Sequence, residues 1–138
     1  MENDQIMFST SCYEDMLNHC RSSLPYEGCG ILSGVNNFIC SNWKLKNEVR
    51  SDRHFFVGKK TVSETLQKIK EKKETVLAIY HSHPTTAPIP SYADLKNHPD
   101  KKIKMIIISF KRKVPNVKCY TVKNQMYIES PFFVDPVD

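Results

Sequence analysis

Apolar residues recur along this chain with a helical period in two segments. The first segment opens with the S-x-x-E pattern of a capping box at Ser11 and Glu14, so we predict a helix that begins at Ser11 and is closed by Pro25. Its buried face follows the i, i+3, i+4, i+7 spacing and comprises Tyr13, Met16, Leu17 and Cys20. We predict a second helix over residues 60–73, with an inner face of Val62, Leu66 and Ile69.

Two strand hairpins are expected, one in each half of the chain. Residues 29–33 and 38–45 flank a stretch typical of a turn, and residues 118–122 and 125–129 flank Lys123 and Asn124. The last residues, 131–138, are expected to form a loose or docked tail.

Two further segments, 75–81 and 105–110, are nearly continuously apolar, which is typical of strands buried on both faces. A proline-rich loop at 84–90 follows the first of them, and a short helix is expected at 91–97. Helices that alternate with buried strands predict a single α/β sandwich with a mixed sheet, spanning residues 1–138.

Composition adds constraints on compartment and partners. The 138 residues are 40% hydrophobic and 25% charged, which is typical of a soluble globular domain. No apolar run approaches the roughly 20 residues that a membrane helix needs, and residues 1–10 do not resemble a secretory signal. The five cysteines include no C-x-x-C pair, which favours reduced, packed thiols. We therefore expect a cytoplasmic protein without a membrane partner.

The net charge of +5 comes from short lysine runs. A nucleic-acid-binding surface would interleave basic residues with exposed aromatics or carry a known motif, and neither is found here. We expect solvated lysines and no nucleic-acid partner, with steering of an acidic protein partner as the alternative.

The strongest chemical signal is the stretch Tyr-His-Ser-His-Pro-Thr-Thr-Ala-Pro-Ile-Pro-Ser-Tyr-Ala-Asp, which ends at Asp94. His81 and His83 are two apart at the end of a predicted strand, so their imidazoles share one face. Ser91 is placed as a helix N-cap, which puts Asp94 in the first helical turn, where an anion is favoured. Two histidines and one carboxylate with a fourth position open are typical of a catalytic zinc site.

Each half of this pattern has an ordinary explanation. A single His-x-His arises often by chance, and Ser-x-x-Asp alone is usually a capping box. Together, at this spacing and after a buried strand, they are far more specific. A cupin-like site would need a glutamate soon after His83, and a zinc deaminase would need His-x-Glu with Pro-Cys-x-x-Cys; the sequence has neither.

His-Ser-His-Pro, six residues and Ser-Tyr-Ala-Asp resemble the JAMM motif, His-x-His-x7-Ser-x-x-Asp, of the MPN-plus metalloproteases. Upstream, Pro-Tyr-Glu-Gly-Cys-Gly-Ile-Leu-Ser-Gly is similar to the glutamate-bearing strand of that family. The resemblance covers nearly the whole chain. It implies an MPN, cytidine-deaminase-like sandwich with a curved mixed sheet flanked by helices, and one zinc ion held by His81, His83 and Asp94.

The resemblance also implies roles and a substrate class. Glu27 would be the general base, and Ser91 would donate a hydrogen bond to the oxyanion. Only nine residues separate Asp94 from the next strand, so the chain is similar to minimal prokaryotic members, without ubiquitin-gripping insertions. Such members resemble enzymes that cut at the C-terminal tail of a ubiquitin-like or sulfur-carrier protein. We expect an extended tail to pair with strands beside the site. Thr85 and Thr86 depart from the RadC-like branch.

Two other functions remain open on the sequence. One is a metal-dependent amidohydrolase that acts on a small molecule or a peptidoglycan peptide. The other is a non-catalytic module that binds ubiquitin-like proteins. The sequence is compatible with a homodimer under any of these functions.

Overall fold

The computed structural model describes residues 5–49, 51–52 and 54–136, and within these it contains eight strands and three helices. In chain order they are β1 Ile6–Ser9, α1 Thr10–Ser23, β2 Cys29–Val35, β3 Phe38–Leu45, α2 Lys59–Glu71, β4 Thr75–His83, α3 Tyr92–Asn97, β5 Lys104–Ser109, β6 Asn116–Lys123, β7 Met126–Ser130 and β8 Phe132–Asp135.

All eight strands belong to one sheet with the order β7-β6-β5-β4-β2-β3-β1-β8. β1 pairs in parallel with β3 and β8, β4 pairs in parallel with β5, and the remaining neighbours are antiparallel. The predicted mixed α/β architecture is therefore confirmed. β7 and β8 lie at opposite edges of the sheet, yet only Pro131 separates them in the chain. One residue spans only a few ångströms, so the sheet must curl until its edges meet.

Successive side chains of a strand point to opposite faces, and this alternation divides the core in two. On one face, α1 buries Met16 and Cys20 against Tyr80 of β4 and Ile106 of β5. On the other face, a smaller cluster of Met105, Ile107, Tyr120 and Val122 packs against Leu95 of α3. Since His81 of β4 lies opposite Ile107 of β5 in register, it belongs to the α3 face.

The first helix begins earlier than predicted. Ser9, not Ser11, is its N-cap, and the Ser9 hydroxyl accepts a hydrogen bond from the backbone N–H of Cys12. The predicted capping box at Ser11 is therefore wrong. β1, which the sequence analysis missed, holds Ser9 in the extended conformation that an N-cap requires.

The inner face of α2 also differs from the prediction. Leu66 is 43% exposed, whereas Thr65 and Ile69 are buried. Burial of Thr65 is tolerated because its hydroxyl donates to the carbonyl of Thr61 one turn earlier. The pattern of apolar residues placed the helix correctly but misassigned one position of its buried face.

The end of the chain is more ordered than a loose tail. Asn124 and Gln125 form the β6–β7 turn with φ of 53° and 60°, one residue later than predicted. β8 then pairs along its whole length with β1, while residues 137–138 of the predicted tail lie outside the described residues. Among the described residues, no helix is long and apolar enough to cross a membrane.

Candidate metal centre

The two histidines of β4 meet on the α3 face of the sheet. β4 runs to His83, so both residues lie within the strand, and their Nε2 atoms are 3.2 Å apart. β2 and β5 hold the strand on either side, with Cys29 opposite His81. An extended tail that pairs with a strand beside the site would therefore have to use a strand other than β4.

Asp94 reaches the histidines from the first turn of α3. Its Oδ2 lies 3.0 Å from His81 Nε2 and 3.3 Å from His83 Nε2. Ser91 and Asp94 form a full capping box: the Ser91 hydroxyl accepts from the backbone N–H of Asp94, and the Asp94 carboxylate accepts from the backbone N–H of Ser91. The Ser-x-x-Asp pattern is thus both a helix cap and part of this cluster.

The geometry of the three donor atoms fits a tetrahedral metal ion. Zinc bonds of roughly 2.0–2.1 Å require ligand atoms about 3.3 Å apart at the edges of a tetrahedron. The three separations here are 3.0, 3.2 and 3.3 Å. Among the described residues, the His, Cys, Asp and Glu side chains that converge closely enough to hold an ion are those of His81, His83 and Asp94. Three protein ligands leave a fourth position open.

The electrostatics of the cluster favour a charged carboxylate at Asp94 next to positive charge. Burial alone would raise the pKa of Asp94, but hydrogen bonds with His81 and His83 outweigh burial and hold that pKa well below its usual range. Burial would lower the pKa of His83, but its hydrogen bonds with Asp94 and with the carbonyl of Ala87 raise it. The Nδ1–H of His83 donates to Ala87 over 2.8 Å, which leaves Nε2 to face a metal in place of a proton.

Glu27 lies just before β2 and is only 4% exposed. Burial, with the negative charges of Asp94 and Asp52 adding to it, raises its pKa to about 8, although His83 opposes the rise. Its Oε1 is buried and has no hydrogen-bond partner among the described residues. A buried carboxyl oxygen without a partner is unfavourable in a structural role, and a raised pKa is typical of a group that exchanges protons at neutral pH.

Ser91 is exposed and its hydroxyl oxygen accepts the helix-capping bond over 3.1 Å. A hydroxyl that accepts one bond still has its proton to donate. Cys29, the buried thiol opposite His81, has a pKa raised to about 12 by burial and by the charge of Glu27. A buried thiol with a raised pKa is typical of a packing residue.

The sequence analysis missed an apolar wall beside the cluster. The ring of Phe55 stacks on the His81 imidazole, with centroids 5.1 Å apart and planes inclined by 26°. Phe55 to Val57, Ala93 of α3 and Met105 of β5 line a cavity of about 360 Å³ that also borders His81 and Asp94. The consecutive Phe55 and Phe56 before α2 were the signal available in the sequence.

Comparison with known proteins agrees with this geometry. The family described as prokaryotic homologs of the JAB domain matches residues 9–123. A desampylase from Pyrococcus furiosus is 31% identical over 75 residues, which cover 54% of this chain and 54% of that protein. The chain thus spans about half the length of this relative.

Solved structures show the same fold. The solution structure of a protein from Desulfitobacterium hafniense has a TM-score of 0.84 at 26% identity, covering 95% of this chain and 93% of that one. A structure described as JAMM, a metalloprotease-like zinc site in the proteasome and signalosome, has a TM-score of 0.61 at 20% identity, covering 95% and 98% of the two chains.

Proposed function

This chain belongs to the family of prokaryotic homologs of the JAB domain, and on that premise we propose that it is a zinc-dependent metallopeptidase or isopeptidase. Its substrate, in this proposal, is an amide bond at the C-terminal tail of a ubiquitin-like or sulfur-carrier protein. The observation that carries the proposal is the convergence of His81, His83 and Asp94 within 3.0–3.3 Å. Glu27, which interacts electrostatically with His83 and Asp94, has a buried Oε1 without a partner among the described residues.

His81, His83 and Asp94 are the proposed ligands of one zinc ion per chain. Bound zinc supplies a Lewis acid, which polarises a carbonyl and lowers the pKa of water to about 7. Glu27 takes the proton of the attacking water and delivers it to the leaving amine. The pKa of Glu27 is about 8 in the metal-free chain, and a bound dication would lower it and so favour the carboxylate that accepts the proton. Ser91 donates a hydrogen bond to the oxygen that gains charge.

The substrate class rests on the relative rather than on the site. The Pyrococcus furiosus protein is named a desampylase, and it matches this chain over 75 residues. We propose that a flexible tail ending in glycine enters the site, since a tail without side chains is accommodated most easily near the ligands. The +5 net charge of this chain would favour an acidic carrier domain.

Cleavage of carrier-tail fusions tests the proposal. Zinc-loaded protein is incubated with ubiquitin-like carriers whose tails end in glycine or in valine before the scissile bond, and the products are identified by mass spectrometry. We expect cleavage after glycine and much slower cleavage after valine. Equal cleavage of both would favour the amidohydrolase alternative, and binding of the carrier without cleavage would favour the non-catalytic module.

Glu27→Gln is the matched control for this reaction. The amide cannot accept the proton of water, so the variant should bind zinc and the carrier but lose roughly 10²–10⁴-fold in turnover. Turnover close to that of the unaltered protein would show that Glu27 is not the base.

A further inference from the structure

Asn47 follows β3 and makes a saturated set of side-chain hydrogen bonds. Its Nδ2 donates to the carbonyl of Glu27 over 3.0 Å and to the carbonyl of His54 over 3.2 Å. Its Oδ1 accepts from the backbone N–H groups of Val49 and Phe56, each over 3.0 Å. A carboxamide has two donors and two lone pairs, so all of its capacity is committed to these partners.

These partners join two parts of the metal centre. His54 and Phe56 flank Phe55, whose ring stacks on His81, so Asn47 anchors the backbone on both sides of that ring. The same amide holds the carbonyl of Glu27. Backbone bonds reinforce the connection, since Glu48 N–H donates to the carbonyl of Phe56 over 2.8 Å.

We propose that Asn47 is a positioning residue of the metal centre. One side-chain amide fixes the Phe55 ring against the His81 ligand and ties the same segment to the backbone of Glu27. The inference rests on the proposed function in one respect, which is that the centre binds zinc. In this proposal Asn47 does not touch zinc but acts on it through Phe55, which stacks on the His81 ligand. Groups that orient metal ligands typically affect metal affinity by about 10–100-fold.

Three variants test this. Asn47→Ala removes all of the bonds. Asn47→Asp has the same size and keeps the two accepted bonds, but it turns a charged oxygen toward the carbonyls of Glu27 and His54. Asn18→Asp is the matched control, because it makes the same chemical change on the exposed face of α1.

Zinc affinity is measured by competition with a chromogenic chelator. We expect about a 10-fold loss for Asn47→Ala, at least as much for Asn47→Asp, and none for Asn18→Asp. Phe55→Ala should lose a similar amount, and combining it with Asn47→Ala should add little, because both changes act through one contact. Unchanged zinc affinity in both Asn47 variants would overturn the proposal. A double variant whose loss of zinc affinity equals the sum of the two single losses, in free energy, would overturn it as well.

Hydrogen exchange separates failure of this proposal from failure of the proposed function. The backbone N–H of Phe56 should exchange at least about 10-fold faster in Asn47→Ala than in the unaltered protein, since its acceptor is gone. If the unaltered protein took up no zinc, the proposed function would fail, and the proposed effect on zinc would fail with it. If zinc bound but the exchange of Phe56 did not change, Asn47 would not be the anchor.

Discussion

Because Glu27 is buried, we predict that the stability of the metal-free protein depends on pH, and no substrate is needed to test this. Its pKa is raised to about 8 in the folded chain, whereas a glutamate in an unfolded chain has a pKa of about 4.3. Between these values the folded protein keeps a proton that the unfolded chain releases. The metal-free protein should therefore lose stability as the pH rises from about 4.5 to 8, and Glu27→Gln should remove that loss.

The size of the effect follows from the difference in pKa. Each unit corresponds to 1.36 kcal/mol, so the penalty is about 4 kcal/mol at pH 7, about 5 kcal/mol above pH 8 and about 1 kcal/mol at pH 5. For a chain of this length, the penalty at pH 7 corresponds to about 10 °C in Tm. Titration of Asp94 and His83 occurs in both proteins, so it largely cancels in the comparison.

The assay is thermal unfolding of chelator-treated protein at several pH values from 5 to 8.5. Glu27→Gln should match the unaltered protein at pH 5 and be more stable by about 10 °C at pH 7. Glu64→Gln, on the exposed face of α2, is the control and should change little at any pH. A difference between Glu27→Gln and the unaltered protein that did not vary with pH would refute the reasoning.

Three other predictions follow from the same contacts. Changing His81 and His83 together to Ala should abolish the single zinc ion per chain measured by elemental analysis, and undiminished zinc would exclude this site. Ser91→Ala should lower kcat by roughly 10²-fold or more and also lower the unfolding free energy by about 1 kcal/mol through loss of the cap; an unchanged kcat would remove its catalytic role. Gly30→Ala should lower the unfolding free energy by about 1–3 kcal/mol, because its Cβ would overlap the buried Tyr80 ring. Chemical denaturation measures this free energy, and an unchanged value would contradict the prediction.

Sequence reasoning succeeded where the signal is local. His81 and His83 share a face because strand alternation is a fixed property of the backbone. Asp94 follows from the cap at Ser91, which the structure contains as a full capping box. The strand β3 was predicted with the bounds that the structure has, Phe38–Leu45.

It failed where a residue's partner is distant in the chain. β1 has only four residues, and its neighbours β3 and β8 begin 32 and 126 residues after Ile6, so no short window contains the pairing. Phe55 stacks on His81, which lies 26 residues later in the chain, and Phe55 itself lies in a segment without regular structure. Glu27 was found only through the family resemblance, because nothing in its immediate neighbours distinguishes it from other acidic residues.

The position of β4 in the curled sheet has a consequence for how the protein opens. Two strands lie between β4 and the edge strand β7, and three lie between β4 and the edge strand β8. Partial opening that begins at a rim must release several ladders before it reaches the histidines. Because Pro131 links the two outermost strands, detachment of one of them also pulls on the other. The slowest-exchanging amides should therefore lie around His81, so the spacing of the two histidines would outlast the loss of either rim.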